Sequence, residues 1–275
     1  MGLRVATNIP SLNAQRNIEN NSKELAKSLS RLSSGQRIVN AGDDAAGLAI
    51  SQNLEAQVRG LQQSQRNAND GVSLAQTAEG ALNEVSNLLI RLRELGVQSA
   101  SDTIGDTERG FLNKEHETLK AEIQRIAEVT EFNGRKLLDG SQSNFSIQVG
   151  PHSGEQNIIH YDASQANATV GTLGISGTSV ADRDSAADGL ESIDGAINKV
   201  NEYRANLGAV QNRLHSAANN LGIATENMSE AKSRLSDTDI AEESANLARR
   251  QILQSAGIAV LAQANTSQSS SLKLL

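Results

Sequence analysis

The residue types able to do chemistry are few in this chain and scattered along it. Its four histidines, His116, His152, His160 and His215, would have to converge with carboxylates to hold a metal, and none stands in the Glu-x-x-His pattern that builds a di-iron site inside a helical bundle. Two carboxylate pairs, Asp43/Asp44 and Glu242/Glu243, have the composition of general acid–base couples. Both fall where a helix is expected to begin. There, acidic side chains accept from free backbone N–H groups and meet the positive end of the helix dipole. Capping is therefore the expected role. No Gly-x-Ser-x-Gly elbow, Gly-x-x-x-x-Gly-Lys loop or Gly-x-Gly-x-x-Gly fingerprint occurs. The expectation is a chain with no catalytic, cofactor-binding or metal-ligating residues.

Composition points the same way. Of 275 residues, 37% are apolar and only 2% aromatic, with no Trp, so the large side chains that usually fill enzyme cores and pockets are scarce. Ala, Leu, Ile, Val, Gln, Asn and Ser suit long, narrow helical packing instead. A net charge of -7 without any basic run disfavours nucleic acid and anionic lipid as partners. Zero cysteines exclude disulfides and thiolate chemistry. No stretch has the length and apolarity of a membrane span, so no membrane insertion is expected. The start, MGLRVATNIP, lacks a signal-peptide core, and Ala6 breaks the myristoylation pattern. Any export is expected to use a route that reads no cleavable signal.

The elements that would position these residues are read from periodicity. From Ile193 every seventh residue is apolar: Val200, Leu207, Leu214, Leu221, Met228, Leu235. Leu190, Ile197 and Ala218 join on the half-heptad row, which Arg204, Gln211, Thr225 and Lys232 dilute, as at a seam bordered by water. A second seam, Leu54, Leu61, Ala68, Ala75, Leu82, Leu89, with Val58 and Val72 beside it, has no proline to break it and predicts a helix of about fifty residues. Leu112, His116, Leu119, Ile123 and Ile126 follow the break SASDTIGDT as a shorter helix, with His116 as a structural residue of its seam.

Both ends read as amphipathic helices. Ile18, Leu25, Leu32 and Val39 recur every seven residues after the start signals Pro10 and Ser11. Asp239 and Glu242 form a capping-box pair, followed by a stripe of Ala241, Ala245, Ala248, Ile252, Ala256 and Ala259. The last ten residues, TSQSSSLKLL, are too polar to extend the stripe and are expected to fray. With Gln15, Ser22 and Gln36 on its companion row, the first helix has a thin seam, so the terminal helices are expected to order only against neighbouring copies. A self-sufficient monomeric bundle is the alternative.

Residues 132–182 differ. FNGRKLLDG is turn-rich, FSIQVG alternates through Phe145, Ile147 and Val149, and NIIHYDA and TVGTLGI are further strand candidates. The expected fold is mainly α: an elongated antiparallel helical bundle or coiled coil with paired N- and C-terminal helices and a small β-hairpin region. Its expected segments are 1–42, an N-terminal helix and linker; 43–131, one half of the helical core; 132–182, the hairpin region; 183–235, the other half; and 236–275, the C-terminal helix.

Several motifs, in order, resemble one family: bacterial flagellin, the filament subunit of the flagellum. LSSGQRIVNAGDDAAGLAI at 32–50 is similar to the family's amino-terminal signature, and NIPSLNAQRN (8–17), IRLRELGVQSAS (90–101), FNGRKLL (132–138) and QILQSAGIAVLAQAN (251–265) are similar to its other motifs. The resemblance spans residues 1–140 and 185–275. It implies export through the flagellar type III apparatus, polymerisation beneath a filament cap into a hollow helical homopolymer for swimming, and contact with hook-junction proteins. It also implies an inner tube of terminal helices packed through Ile18, Leu25, Leu32, Leu247, Ile252, Ala256 and Ala259. Residues 32–50 become a spoke between layers, with Arg37, Asp43 and Asp44 as intersubunit contacts. An export chaperone would take the stripe from Leu247 to Leu261. Recognition by a host Toll-like receptor carries over to Arg91, Leu95 and Glu115, although Ile90 and Gly96 depart from the residues usual there. The resemblance places the protein outside the cell, in the filament, and the short middle implies a thin, smooth one. The alternatives are a hook-filament junction protein and, in a different class, a helical-bundle enzyme.

Overall fold

The computed structural model describes residues 7–141 and 144–272, with side chains through residue 267. The chain divides into two compact units: Met1–Ala56 with Asn227–Leu275, and Gln57–Glu226. We call them the terminal unit and the central unit.

Among the described residues there are six α-helices: α1 (Ile9–Ser34), α2 (Ala45–Ser99), α3 (Asp106–Val129), α4 (Val170–Leu173), α5 (Arg183–Ser236) and α6 (Ile240–Leu272). The two long ones, α2 and α5, run from one unit into the other. Between α3 and α4 lie two hairpins. In the first, β1 (Glu131–Phe132) and β2 (Arg135–Lys136) pair antiparallel across Asn133 and Gly134, whose φ values of 50° and 75° fit a type I′ turn. In the second, β3 (Asn144–Gln148) pairs with β4 (Ile158–Asp162), Phe145 opposite Tyr161 and Ile147 opposite Ile159.

The long seams pack as their spacing predicts. In the central unit Leu82, Leu89, Val200, Leu207 and Leu214 are wholly buried, with Ala75 and Ile193 almost so. Ile123 and Ala127 of α3, Leu137 and Leu138 after β2, and Phe145 and Tyr161 of the second hairpin complete this core. His116 is wholly buried on α3, in the seam position expected of it.

Two local expectations are corrected, and one is refined. TVGTLGI forms helix α4 rather than a strand, because Val170 and Leu173 fall on one helical face, the Val170 N–H is held by Gln124 Oε1 at 3.0 Å, and Gly174 takes the left-handed φ of 83° that ends a helix. The start signals Pro10 and Ser11 fall in the first turn of α1, where the missing N–H of proline costs nothing, and the cap itself is Asn8, whose side-chain oxygen accepts from Ser11 N at 3.1 Å. Finally, α6 continues through Leu272, since a helix propagates from an existing end without needing a buried face at each turn. Residues 273–275 of the expected frayed tail lie outside the described residues.

Candidate functional site

Where the two ends of the chain break their helices, the breaks are joined. Gly35, at φ 70°, closes α1 with its N–H on the Arg31 carbonyl. The extended residues beyond it pair with the break between α5 and α6 through an antiparallel bridge of Gln36 and Asp237. Arg37 N donates to Ser236 O at 2.7 Å, and Thr238 N to Gly35 O at 2.9 Å. The Arg37 guanidinium adds a bond from Nη2 to Leu235 O at 2.9 Å. Sequence periodicity marks both interruptions but carries no sign that they are hydrogen-bonded to each other.

The aspartates split their work at this joint. Asp44 caps α2, accepting from Gly47 N at 2.8 Å. Asp43 Oδ1 pairs with Lys27 Nζ at 2.6 Å, while its other oxygen receives the Val39 and Asn40 N–H groups. The lysine bond first, then the backbone donors, hold the Asp43 carboxyl below the usual carboxylate range. At the second break Asp239 accepts from Ala241 N (2.8 Å) and Glu242 N (3.2 Å). Of the carboxylate pairs that could have suggested acid–base chemistry, Asp44 caps a helix, Asp43 pairs with Lys27 and loop N–H groups, and Glu243 pairs with Arg31 at 3.7 Å, while the cap at the second break is Asp239. Ile38, nearly buried, rests on Gly47, where an added Cβ would stand 2.8 Å from the isoleucine Cδ1.

From the joint outward, α1 lies antiparallel against α6. Asn21 Nδ2 donates to Arg250 O at 2.8 Å, Asn8 Nδ2 to Ala264 O at 3.2 Å, and Ser11 Oγ to Asn265 Oδ1 at 3.0 Å. Arg250 pairs with Glu24 at 3.1 Å. Gly257 lets the helices approach: a Cβ there would sit 2.9 Å from Ile18 Cγ1. Ile18, Leu25 and Leu32 are half-buried on this face, as is Leu247. The small-residue stripe is not α6's inner face. Its residues Ala241, Ala245, Ala248, Ile252, Ala256 and Ala259 are all exposed, Ile252 at 69%. The row turned to α1 is Glu243, Leu247, Arg250, Gln254, Gly257, Leu261 and Ala264. The two rows share the heptad period but differ in phase, and polar residues on the inner row concealed it from a search for apolar repeats.

The terminal unit therefore shows many of its large apolar side chains outward. Ile9, Leu12, Leu29, Ile50, Ile240, Ile252, Leu253, Ile258 and Val260 are each more than half exposed or close to it. Between α1 and α6 runs a groove of about 300 Å³, lined by Ala14, Ile18, Leu253, Ala256, Gly257 and Val260 with Asn17 and Asn21.

In the central unit, Arg91 reaches Glu115 on α3 from Nε at 2.9 Å and Glu94 from Nη1 at 2.9 Å, on an exposed surface. Leu95, expected beside them as a recognition residue, is wholly buried within the chain. His160, on β4, meets Ser146 and Glu155; it and Tyr161 border a cleft of about 220 Å³ with Tyr203 and Arg213 of α5. Burial, with Asp162 adding to it, pushes the Tyr161 hydroxyl up to about 12, which keeps it protonated. Among the described residues no group of histidines and carboxylates is placed to hold a metal ion.

Comparison with known proteins agrees with this geometry. Residues 5–143 match the bacterial flagellin N-terminal helical region, and residues 190–275 match the bacterial flagellin C-terminal helical region. Over 98% of both chains, the sequence is 44% identical to a flagellin of Halalkalibacterium halodurans. It is 40% identical to a flagellin of Bacillus subtilis over 99% of this chain and all of that one. Among solved structures, the crystal structure of Bacillus cereus flagellin superposes with a TM-score of 0.50 at 35% identity, covering 57% of this chain and 88% of that chain.

Proposed function

This chain belongs to the bacterial flagellin family and is a non-enzymatic subunit of the extracellular flagellar filament that serves motility, and from that premise we propose that copies join through the outward faces of α1 and α6. The observation that carries this is the row of exposed Leu12, Leu29, Ile252, Leu253, Ile258 and Val260 on a helix pair whose own interface is largely polar. Apolar surface of that extent is removed from water when a second copy covers it. Ile252, Ala256 and Ala259 then serve as contacts between copies, while Ile18, Leu25, Leu32 and Leu247 hold α1 to α6 within one copy. The groove beside Gly257 receives a side chain of a neighbour.

Arg37, Asp43 and Asp44 act as the spoke between layers by fixing the joint that orients the terminal pair. Before assembly, the outward apolar residues of α6 between Leu247 and Leu261, namely Ile252, Leu253, Ile258 and Val260, are covered by the export chaperone, which passes the subunit to the type III apparatus; incorporation takes place beneath the filament cap, beyond the hook-junction proteins. The exposed Arg91–Glu115 pair is the contact offered to a host Toll-like receptor, with Leu95 supporting the ridge from beneath.

Electron microscopy of full-length protein after a salt jump tests the assembly surface. Wild type forms long uniform filaments, and the double substitution Ile252→Ser/Ile258→Ser leaves helix content unchanged but gives none. Filaments from the double variant would assign assembly to another surface.

A further inference from the structure

Residues 174–180, which lead from α4 into α5, are held against α3 at two points. Asn113, His116 and Lys120 are spaced three and four apart and so share one face of α3. At one end, Asn113 Oδ1 accepts from Val180 N at 3.0 Å and Ser179 Oγ at 3.1 Å. At the other, the buried Lys120 ammonium donates to Thr178 O at 2.9 Å and Ser176 O at 3.1 Å. His116 lies between these clamps, 0% exposed, and neither of its ring nitrogens has a hydrogen-bond partner among the described residues.

The charges around the ring are one-sided. Lys120 and Glu117, both on α3, act on it. Glu117 is turned to Lys120 Nζ at 3.0 Å, and Arg109, two turns away, is occupied by Ser99 O, Ser101 O and Asp106. Residues 174–180 carry no titratable side chain. From α2, Arg91 faces Glu94 and Glu115, Arg93 faces Asp194, and the Ser99 hydroxyl bonds Val180 O at 2.6 Å.

We propose that residues 174–180 form an acid-released strap: a solvent proton taken by a ring nitrogen of His116 leaves a second buried cation beside Lys120 with no acceptor, and the strap lifts from α3 to let water solvate it. Burial first, then Lys120, lowers the imidazole below its ordinary 6.5, so the ring is neutral under the closed strap. With the strap open, the ring binds a proton at about the ordinary value; closed, only at lower pH. Closure is therefore fully favoured above about pH 6.5 and weakens as pH falls below it, roughly tenfold for each unit separating the two affinities.

The test is hydrogen exchange on the unassembled full-length chain, with rates corrected for the intrinsic effect of pH, alongside NMR titration of the His116 ring. In wild type, amides of 174–180 should lose roughly tenfold or more of their protection between pH 7.5 and 5. His116 should titrate below 6.5 in step with that loss. In His116→Leu, protection should change less than about twofold over the same range. Persistence of the pH response in His116→Leu overturns the strap, as does a His116 that titrates normally while protection is constant. Should the leucine variant fail to fold, the wild-type titration and exchange profile decide the matter by the same criterion.

Discussion

The terminal and central units are built from the same kind of long helix and use it in opposite ways. In the central unit, α2 and α5 bring Leu82, Leu89, Leu207 and Leu214 into a core from which water is wholly excluded, and α3 and the hairpins close over it. Among the described residues the terminal unit buries two apolar side chains, Ala14 and Ile38, while Ser11, Ser28, Ser236 and Glu243 take other buried positions. Its specificity comes from side-chain amides, hydroxyls and ion pairs spaced along α1 and α6. A hydrogen bond contributes about 1 kcal/mol net, against roughly 1.5–3 for a fully buried Leu or Ile. The central unit is thus folded by its own core, whereas the terminal unit is held by polar contacts and leaves much of its apolar surface exposed.

Substitutions can break that contrast, starting with the largest effect. Leu82→Ala should destabilise the central unit by about 2–5 kcal/mol in chemical denaturation, because the cavity it leaves is enclosed. Leu29→Ala, at a position 51% exposed on α1, should change monomer stability by no more than about 0.5 kcal/mol yet raise the concentration needed for assembly. Equal effects of the two on the monomer would erase the distinction.

Next in size is Gly257→Ala, which should loosen the terminal pair by about 1–3 kcal/mol as its Cβ meets Ile18. Read by exchange of α1 amides, the loss should be partly recovered when Ile18→Ala is added, and no recovery would place the strain elsewhere. Removing either cap at the joint, Asp44→Ala or Asp239→Ala, should cost about 1 kcal/mol of local stability in the same measurement.

The smallest effect is the pairing of Asp43 with Lys27. Its carboxyl is held below 3.8, so its contribution is present above about that pH and lost as pH falls further. Asp43→Asn should remove this acid step in exchange of the 35–44 amides at a cost of about 0–1 kcal/mol, since the pair is only partly shielded from water.

Much of this was legible in the residues. The seven-residue seams of α2 and α5 gave helix lengths and inner faces because a long run of matched positions leaves one packing phase. Asn133-Gly134 and the alternation of FSIQVG marked the hairpin region for similarly local reasons. The sites were less legible. Counting apolar repeats on α6 selected its outer row, since the inner row is carried by Glu243, Arg250 and Gln254, whose roles depend on α1 being opposite. Leu95 was named by the resemblance of its motif alone, and its complete burial is set by the packing around α2, which a motif does not carry.

By itself, then, the sequence determined the local choices: which stretches form the long helices, where their main breaks fall and which seams are continuous. These follow from backbone propensity, capping and periodicity, which act over a few neighbouring residues. Tertiary structure decided which of two faces of α6 turns inward, that the breaks at 36 and 237 pair, and that His116 lies without a partner on the face of α3 whose Asn113 and Lys120 hold residues 176–180. Each depends on groups far apart in the chain, whose meeting is fixed by the packing of whole helices and leaves no local trace in the order of residues.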